Sequence, residues 1–179
     1  IRLEPDKIDG DISYLNHDSW SETALEGRSG PRHFVFNKMG TRAYLLNEIS
    51  GKVTVFSVDA ENRLEEIQSV VADTCYAEGS ADIHLSPDNN FLYASTRLEG
   101  DGIVVFKVDA DGMIERKGYH ATGKHPRNFA ITPDGNLMLV ACRDGGIIQI
   151  FRIDKQTGML TDTGKCISLD RPVCIKFAD

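Results

Sequence analysis

No run of about 18 consecutive apolar residues occurs in the sequence, so a membrane-spanning helix is excluded and no membrane partner is expected. A basic excess is also missing. Only 20 Lys and Arg stand against 27 Asp and Glu, a net charge of −7, which argues against a nucleic-acid backbone as partner. Anionic small molecules stay open, provided that a few arginines converge locally. The four cysteines, Cys75, Cys142, Cys166 and Cys174, form no CxxC and no Cys/His metal spacing, and read as buried, reduced, small hydrophobes of a cytoplasmic protein. GxSxG, Walker, dinucleotide and zinc motifs are all absent, so serine-nucleophile chemistry has no support and neither a cofactor nor a metal is expected. The chain opens on Ile1 without a basic n-region or an apolar h-region, and that start reads as a fragment or a processed end. Nor does any stretch sustain a capped 3.6-residue apolar period, which argues against long helices.

What is present is a core-forming composition, 41% hydrophobic and 26% charged, arranged as a repeat. FVFNKMGTRAYLLNE (34–48) lies over IHLSPDNNFLYASTR (83–97) and FAITPDGNLMLVACRD (129–144). Each is followed by a second pair of apolar runs that brings Phe56, Phe106 and Phe151 into register, and with them Asp59, Asp109 and Asp154. Phe36, Leu85, Ile131 and Phe177 give steps of 49, 46 and 46 residues. Within each copy, four short runs rich in Val, Ile, Phe and Tyr are separated by turn chemistry such as PDNN, PDGN, DADG and KQTG. That pattern predicts an all-β chain of four-stranded antiparallel meanders, which cannot bury both faces alone and stack radially into a β-propeller.

The ends read as partial units. RLEPDKIDGDISYL, with Leu3 and Ile12 in the places of Ile153 and Leu160, resembles the late part of a unit. The reading is therefore residues 1–29 as the outer part of one blade and a connection, 30–79, 80–124 and 125–170 as complete blades, and 171–179 (RPVCIKFAD) as the first strand of a closing blade. Such an arc exposes a sheet face at each end, so further propeller sequence, a second chain or self-association is expected to cover it.

Ionisable residues flank the first hairpin of each unit. Pairing residues whose numbers sum to 80, symmetric about Gly40, sets Arg32 near Glu48 and His33 near Asn47, at the end opposite the turn. The same arithmetic sets Asp82 beside Arg97 and Asn128 beside Arg143. In a propeller those ends gather round the central channel, so Arg32, His33, Glu48, Asp82, Arg97, Arg127 and Arg143 map to one rim. GRSGPR (27–32) and GKHPR (123–127) each join glycine, which frees backbone N–H groups, to an arginine, a weak anion-binding signal. A purely structural Arg32–Glu48 pair is the competing reading. His84, aligned with Val35 and Ala130, reads as a satisfied blade-packing residue. His17, His120 and His125 fall in predicted loops and default to solvent. Trp20 either caps the channel mouth or packs on the surface, and Asp88 and Asp134 read as turn formers.

GPRHFVF, the NE that closes its hairpin, ADIHLSPDNNFLYASTR, PRNFAITPDGNLMLVA and PVCIKF together resemble the lactonase family of seven-bladed β-propellers. That family includes bacterial propeller-type 6-phosphogluconolactonases and fungal carboxymuconate lactonizing enzymes. The resemblance runs from about Gly30 to the end and implies the C-terminal half of a protein about twice this length, whose terminal strand joins N-terminal strands to close the ring. It implies an active site in which Arg32, Glu48 and Arg97 match an Arg in GPRH, the Glu of NE and an Arg ending the next hairpin, while a fourth residue, a His, falls upstream of Ile1. YASTR stands where YVSNR-like endings are common, and keeps Arg97. The implied activity is hydrolysis of a phosphorylated sugar lactone, foremost 6-phosphoglucono-1,5-lactone. Glu48 would serve as base or orient a His that does, and Arg32 and Arg97 would stabilise the oxyanion or clamp the phosphate. His33 and Arg127 follow as second-tier candidates, with Asp82 and Arg143 as further substrate-binding residues. A muconate-type cycloisomerase and a non-catalytic binding propeller are the alternatives.

Overall fold

The computed structural model describes residues 23–178, so the readings placed on Leu3, Ile12, His17 and Trp20 lie outside the described residues. Among the described residues there are twelve strands and no helix, arranged as three four-stranded antiparallel sheets in meander order. Blade 1 comprises β1 (Pro31–Phe36), β2 (Arg42–Asn47), β3 (Lys52–Val58) and β4 (Leu64–Val71). Blade 2 comprises β5 (Ile83–Leu85), β6 (Phe91–Thr96), β7 (Gly102–Val108) and β8 (Ile114–Ala121). Blade 3 comprises β9 (Pro126–Ile131), β10 (Leu137–Cys142), β11 (Ile147–Ile153) and β12 (Leu160–Ser168).

Blade 2 explains why the strands read as apolar runs rather than as alternating ones. Every residue of β6 is buried, because successive side chains point to opposite faces and a blade covers each face. Leu92, Ala94, Val104 and Phe106 pack with Tyr44, Leu46, Val53 and Val55 of blade 1. Phe91, Tyr93, Ile103 and Val105 pack with Phe129, Met138, Val140 and Phe151 of blade 3. Hydrogen bonds repeat across the same two seams. The Tyr44 hydroxyl donates to the Gly112 carbonyl at 2.9 Å, and Tyr93, its counterpart one unit on, donates to the Gly158 carbonyl at 3.0 Å. Gly158 (φ 74°) admits no other residue, since a Cβ there would lie 2.3 Å from the Phe91 ring. The aspartates in register do equivalent work: Asp59, Asp109 and Asp154 each accept backbone N–H groups of the turn that follows.

The observed hairpin register differs from the symmetry expected of it. In blade 1 Phe34 faces Leu45 and a bulge at Pro31–His33 sets His33 opposite Leu46. In blades 2 and 3 Ile83 faces Ala94 and Asn128 faces Ala141, a slip of two residues. Asp82 therefore lies across from Ser95, whose N–H donates to the Asp82 carbonyl at 2.9 Å, not across from Arg97. The cause is in the turns. They centre on Asp88–Asn89 and Asp134–Gly135, where the two carboxylates accept the N–H groups of Asn90 and Asn136 and Asn89 and Gly135 take positive φ.

Three further expectations are corrected. Only Cys142 is buried; Cys75, Cys166 and Cys174 are exposed, and all four are free thiols. His120 lies on β8, not in a loop, and its Nε2 accepts the Leu160 N–H of blade 3 at 3.1 Å. Residues 172–178 form no strand, because no neighbouring backbone runs a ladder beside them; the Ile175 N–H finds the Asn128 side-chain oxygen instead, at 2.7 Å. Phe34 (58%) and Phe36 (46%) on β1 and Ile167, Leu169, Val173 and Phe177 at the other end are exposed, as an open arc requires.

Candidate active site

Two polar networks lie at the hairpin ends opposite the turns, and each crosses all three blades. The first begins on β1, where the bulge frees Arg32 to turn its side chain toward the end of β2. Arg32 Nε stands 3.3 Å from Glu48 Oε2, and the other Glu48 oxygen accepts from Arg97 Nη2 at 2.5 Å. Arg97, just past β6, is 5% exposed and uses its whole fork: Nε donates to the Gly79 carbonyl at 2.7 Å and Nη1 meets His125 Nε2 at 2.8 Å. His125 Nδ1 lies 3.1 Å from Asp144 Oδ2, and Asp144 is clamped by Arg143 through Nε at 2.7 Å and Nη2 at 3.0 Å.

Protonation follows from these partners. An arginine can only donate, so His125 Nε2 is the acceptor; Nδ1 lies 3.1 Å from Asp144 Oδ2 and 3.4 Å from Arg143 Nη2, and the closer carboxylate places the ring proton on Nδ1. Burial, then the Arg97 and Arg143 cations, push the His125 pKa below its ordinary value, so the ring is neutral at neutral pH. Burial and the nearby Arg32 cation lower the Arg97 value while Glu48 opposes them, and a guanidinium stays charged throughout. His125 also holds a left-handed backbone (φ 60°), anchored by its N–H to Asp101 Oδ1 at 3.0 Å.

The second network centres on Asp82, which precedes β5 and is 3% exposed. Its Oδ1 accepts from His33 Nδ1 at 2.8 Å and the Ile83 N–H at 3.0 Å. Its Oδ2 accepts from His84 Nε2 at 3.0 Å, Asn128 Nδ2 at 2.5 Å and the Phe129 N–H at 3.1 Å. Burial raises the Asp82 pKa, but the bonds from His84, His33 and Phe129 outweigh it and hold the carboxyl at about 2. Arg32 joins the two networks: its Nη1 donates to the Ala81 carbonyl and lies 3.5 Å from His33 Nε2. Among the described residues no group of three or more His, Cys, Asp or Glu is placed to hold a metal. A shallow groove lined by Ser86, Asp88, Phe91, Asp134, Ile153 and Lys155 sits at the turn end, away from both networks.

Residues 7–177 match the family model described as lactonase, 7-bladed beta-propeller. The chain belongs to the lactonase family of seven-bladed β-propellers. It is 44% identical over 137 residues to a 6-phosphogluconolactonase of Formosa agariphila, covering 74% of this chain and 38% of that protein. Among solved structures it is similar to a candidate 6-phosphogluconolactonase of Bacteroides fragilis, with TM-score 0.86, 55% identity and coverage of 88% of this chain and 44% of the other. It is also similar to the periplasmic gluconolactonase PpgL of Pseudomonas aeruginosa, with TM-score 0.83, 31% identity and coverage of 88% and 45%. The chain spans less than half the length of these relatives.

Within this lactonase-family chain, Arg32, Glu48 and Arg97 form one continuous ion-paired run. His33 and Asp82 form the second network with each other. Arg127, on β9, lies close enough to lower the Arg97 pKa, and among the described residues it pairs with no carboxylate. Arg143 is taken up by Asp144. Sequence reasoning missed His125, assigned to solvent but buried against Arg97. It also missed the partner of His84, which does pack edge-on against Phe129 at 4.8 Å yet gives its Nε2–H to Asp82. A signal for the latter was available: Asp82, at the entrance to β5, and His84, within it, are two apart and so share a face.

Proposed function

We propose that the protein containing this chain is a lactonase that hydrolyses a phosphorylated sugar lactone, 6-phosphoglucono-1,5-lactone to 6-phosphogluconate. The observation that carries this reading is the Arg32–Glu48–Arg97 run, in which one carboxylate spans two arginines from adjacent blades. Hydrolysis needs groups fixed where negative charge develops, and guanidinium forks already oriented by Glu48 require no reorganisation when it does. Arg32 stabilises the oxyanion. Arg97 locks the Gly79 and Ser80 carbonyls and the position of Glu48, and Arg127 and His33 face the substrate. With both oxygens committed to arginines, Glu48 acts by orienting cations rather than by accepting a proton.

The partner is thus an anionic small-molecule lactone, and the exposed apolar faces at Phe34 and at Ile167 are covered by the remaining blades of the ring or by self-association. We place the protein in the cytoplasm, which its four free thiols favour. The test is lactone turnover by the whole protein above the spontaneous rate, with 6-phosphoglucono-1,5-lactone, glucono-1,5-lactone and a carboxymuconate supplied side by side. Turnover of the phosphorylated lactone supports the reading. Turnover of the muconate alone replaces it with the cycloisomerase, and no turnover of any replaces it with a binding scaffold.

A further inference from the structure

We infer that Asp101 is a positioning residue for the Arg97 fork, one oxygen of its carboxylate fixing the backbone on both sides of the Arg97–His125 contact; this rests on the lactonase reading above. The connection between the second and third strands of blade 2 departs from the repeat. Four residues make that connection in blades 1 and 3, 48–51 and 143–146, and five make it in blade 2, 97–101. In the shorter connections a glycine beside the third strand, Gly51 or Gly146, takes the left-handed conformation (φ 65° and 64°), which glycine adopts without steric cost. In blade 2 the residue immediately after Arg97, Leu98, takes it instead (φ 77°).

Leu98 has no intrinsic preference for that backbone. A residue with a Cβ is disfavoured there, and burial does not hold it, since Leu98 is 57% exposed. Asp101 holds it: its Oδ1 accepts the Leu98 N–H at 3.2 Å. The same oxygen accepts the His125 N–H at 3.0 Å. His125 is also left-handed (φ 60°), and it precedes Pro126, where the backbone ordinarily stays extended with negative φ. Two disfavoured conformations, one on each side of the seam between blades 2 and 3, thus depend on a single atom. Asp101 is held in turn, because its carbonyl accepts the Tyr119 hydroxyl at 2.9 Å and the Thr122 N–H at 3.1 Å. Backbone strain of this kind persists where the surroundings over-determine it, and it gathers at functional sites.

What this oxygen sets is a spacing. The Leu98 N–H belongs to the same planar peptide unit as the Arg97 carbonyl, so Asp101 fixes the peptide plane of Arg97 and the backbone of His125 together. The side chains of those two residues then meet at 2.8 Å. Leu98 also lies against Gly79 so closely that a Cβ there would stand 2.9 Å from its side chain, and the Gly79 carbonyl is the one that accepts from Arg97 Nε at 2.7 Å. Two partners of the fork are thereby placed from Asp101. Glu48 is the third, and through Glu48 the placement reaches Arg32. Blade 2 is packed on both faces by blades 1 and 3, so these contacts form without the remaining blades of the ring.

The test uses the whole protein and 6-phosphoglucono-1,5-lactone, at a temperature where every variant is folded. Asp101→Ala should lower kcat/KM by about tenfold, through kcat rather than KM. Asp101→Asn keeps an acceptor oxygen for the two N–H groups and should recover most of that loss. Asp101→Glu keeps the carboxylate but displaces it by one methylene; it should lose as much as the alanine variant, and it replaces that variant if alanine does not fold. In the Arg97→Lys background the same substitution should lower kcat/KM by less than about twofold, because the fork it positions is gone. Wild-type kcat/KM in Asp101→Ala, an equal loss in both backgrounds, or an Asp101→Asn variant as slow as Asp101→Ala overturns the assignment while leaving the lactonase reading standing. Nitrogen NMR of histidine-labelled protein gives a readout independent of turnover: Asp101→Ala should shift the His125 Nε2 resonance as its bond to Arg97 loosens, and an unchanged resonance also overturns the assignment. A wild-type protein that turns over no lactone removes the lactonase reading and the catalytic part of this one, while the resonance still decides whether Asp101 sets the Arg97–His125 contact.

Discussion

Removing the Arg97 side chain should damage stability and catalysis by separable amounts, and two substitutions divide them. The guanidinium is 6% exposed and donates to Glu48, to His125 Nε2 and to the Gly79 carbonyl at 2.5, 2.8 and 2.7 Å. Arg97→Ala leaves the last two as buried acceptors without donors, at about 1–3 kcal/mol each. Glu48 is 39% exposed and keeps Arg32, so its loss is discounted to about 1 kcal/mol. The total is about 3–7 kcal/mol, which in a protein of this kind lowers Tm by at least about 5 °C. Arg97→Lys retains the charge and reaches Glu48, but one ammonium cannot also serve an acceptor on blade 3 and a carbonyl on the loop before β5. It should fold with a loss of about 1–3 kcal/mol and show roughly 10²-fold lower kcat/KM on the phosphorylated lactone. Thermal denaturation followed by circular dichroism, with the lactone assay at a temperature where both variants are folded, makes the comparison. Wild-type kcat/KM in Arg97→Lys, or an unchanged Tm in Arg97→Ala, would refute the claim that this fork organises the site.

The remaining expectations concern acid sensitivity, the seams between blades and the open ends. The folded pKa of Asp82 is depressed to about 2 from 3.8, so its stabilisation, about 2–3 kcal/mol, is complete above the unfolded value and is lost as pH falls through about 2. Asp82→Asn should thus be less stable than wild type by that amount at pH 7, with the gap closing between about pH 4 and pH 2 in urea titrations. Gly158→Ala forces a Cβ to 2.3 Å from the Phe91 ring at φ 74° and should cost about 2–4 kcal/mol with kcat unchanged. Tyr44→Phe and Tyr93→Phe occupy equivalent seams, and each should cost about 1–2 kcal/mol by orphaning one glycine carbonyl; a tenfold disparity between them would break the equivalence. The isolated 179-residue chain should associate in sedimentation velocity as its concentration rises, and Phe34→Glu with Phe36→Glu should weaken that association; a monomer at all concentrations would count against the exposed β1 face as the cause.

The blade architecture was legible because its signals are local and repeated. Turn residues, the phenylalanines in register and the aspartates at 59, 109 and 154 recur together, at steps of 50 and 45 residues, and each has a visible task in the folded chain. Register was less legible, because it depends on which turn residue takes positive φ. Asn89 and Gly135 do so, and symmetry about Gly40 does not transfer to their hairpins. The contacts of Arg97 do not depend on this register, because they run between blades rather than across one hairpin. Arg97 meets Glu48 of the preceding blade and His125 of the following one. Sequence adjacency carries no trace of such pairs, so His125, hidden between a glycine-containing loop and Pro126, could not be told from a solvent histidine.

Charge supplies the last constraint on how such a rim works. The chain carries seven excess negative charges, so its distant field repels an anionic ligand, but that field is screened within about 8 Å at physiological ionic strength. Recognition must therefore come from short-range donors. At the rim Arg32 and Arg97 share a single carboxylate, leaving one uncompensated positive charge between two blades. Arg127 adds a second from blade 3, and its repulsion contributes to lowering the Arg97 pKa. Like charges held together in this way are costly unless something negative joins them, and an anionic phosphate or a developing oxyanion relieves that cost. The Asp82 network ties residues of the same three blades together beside those cations, with one buried carboxylate accepting from five donors.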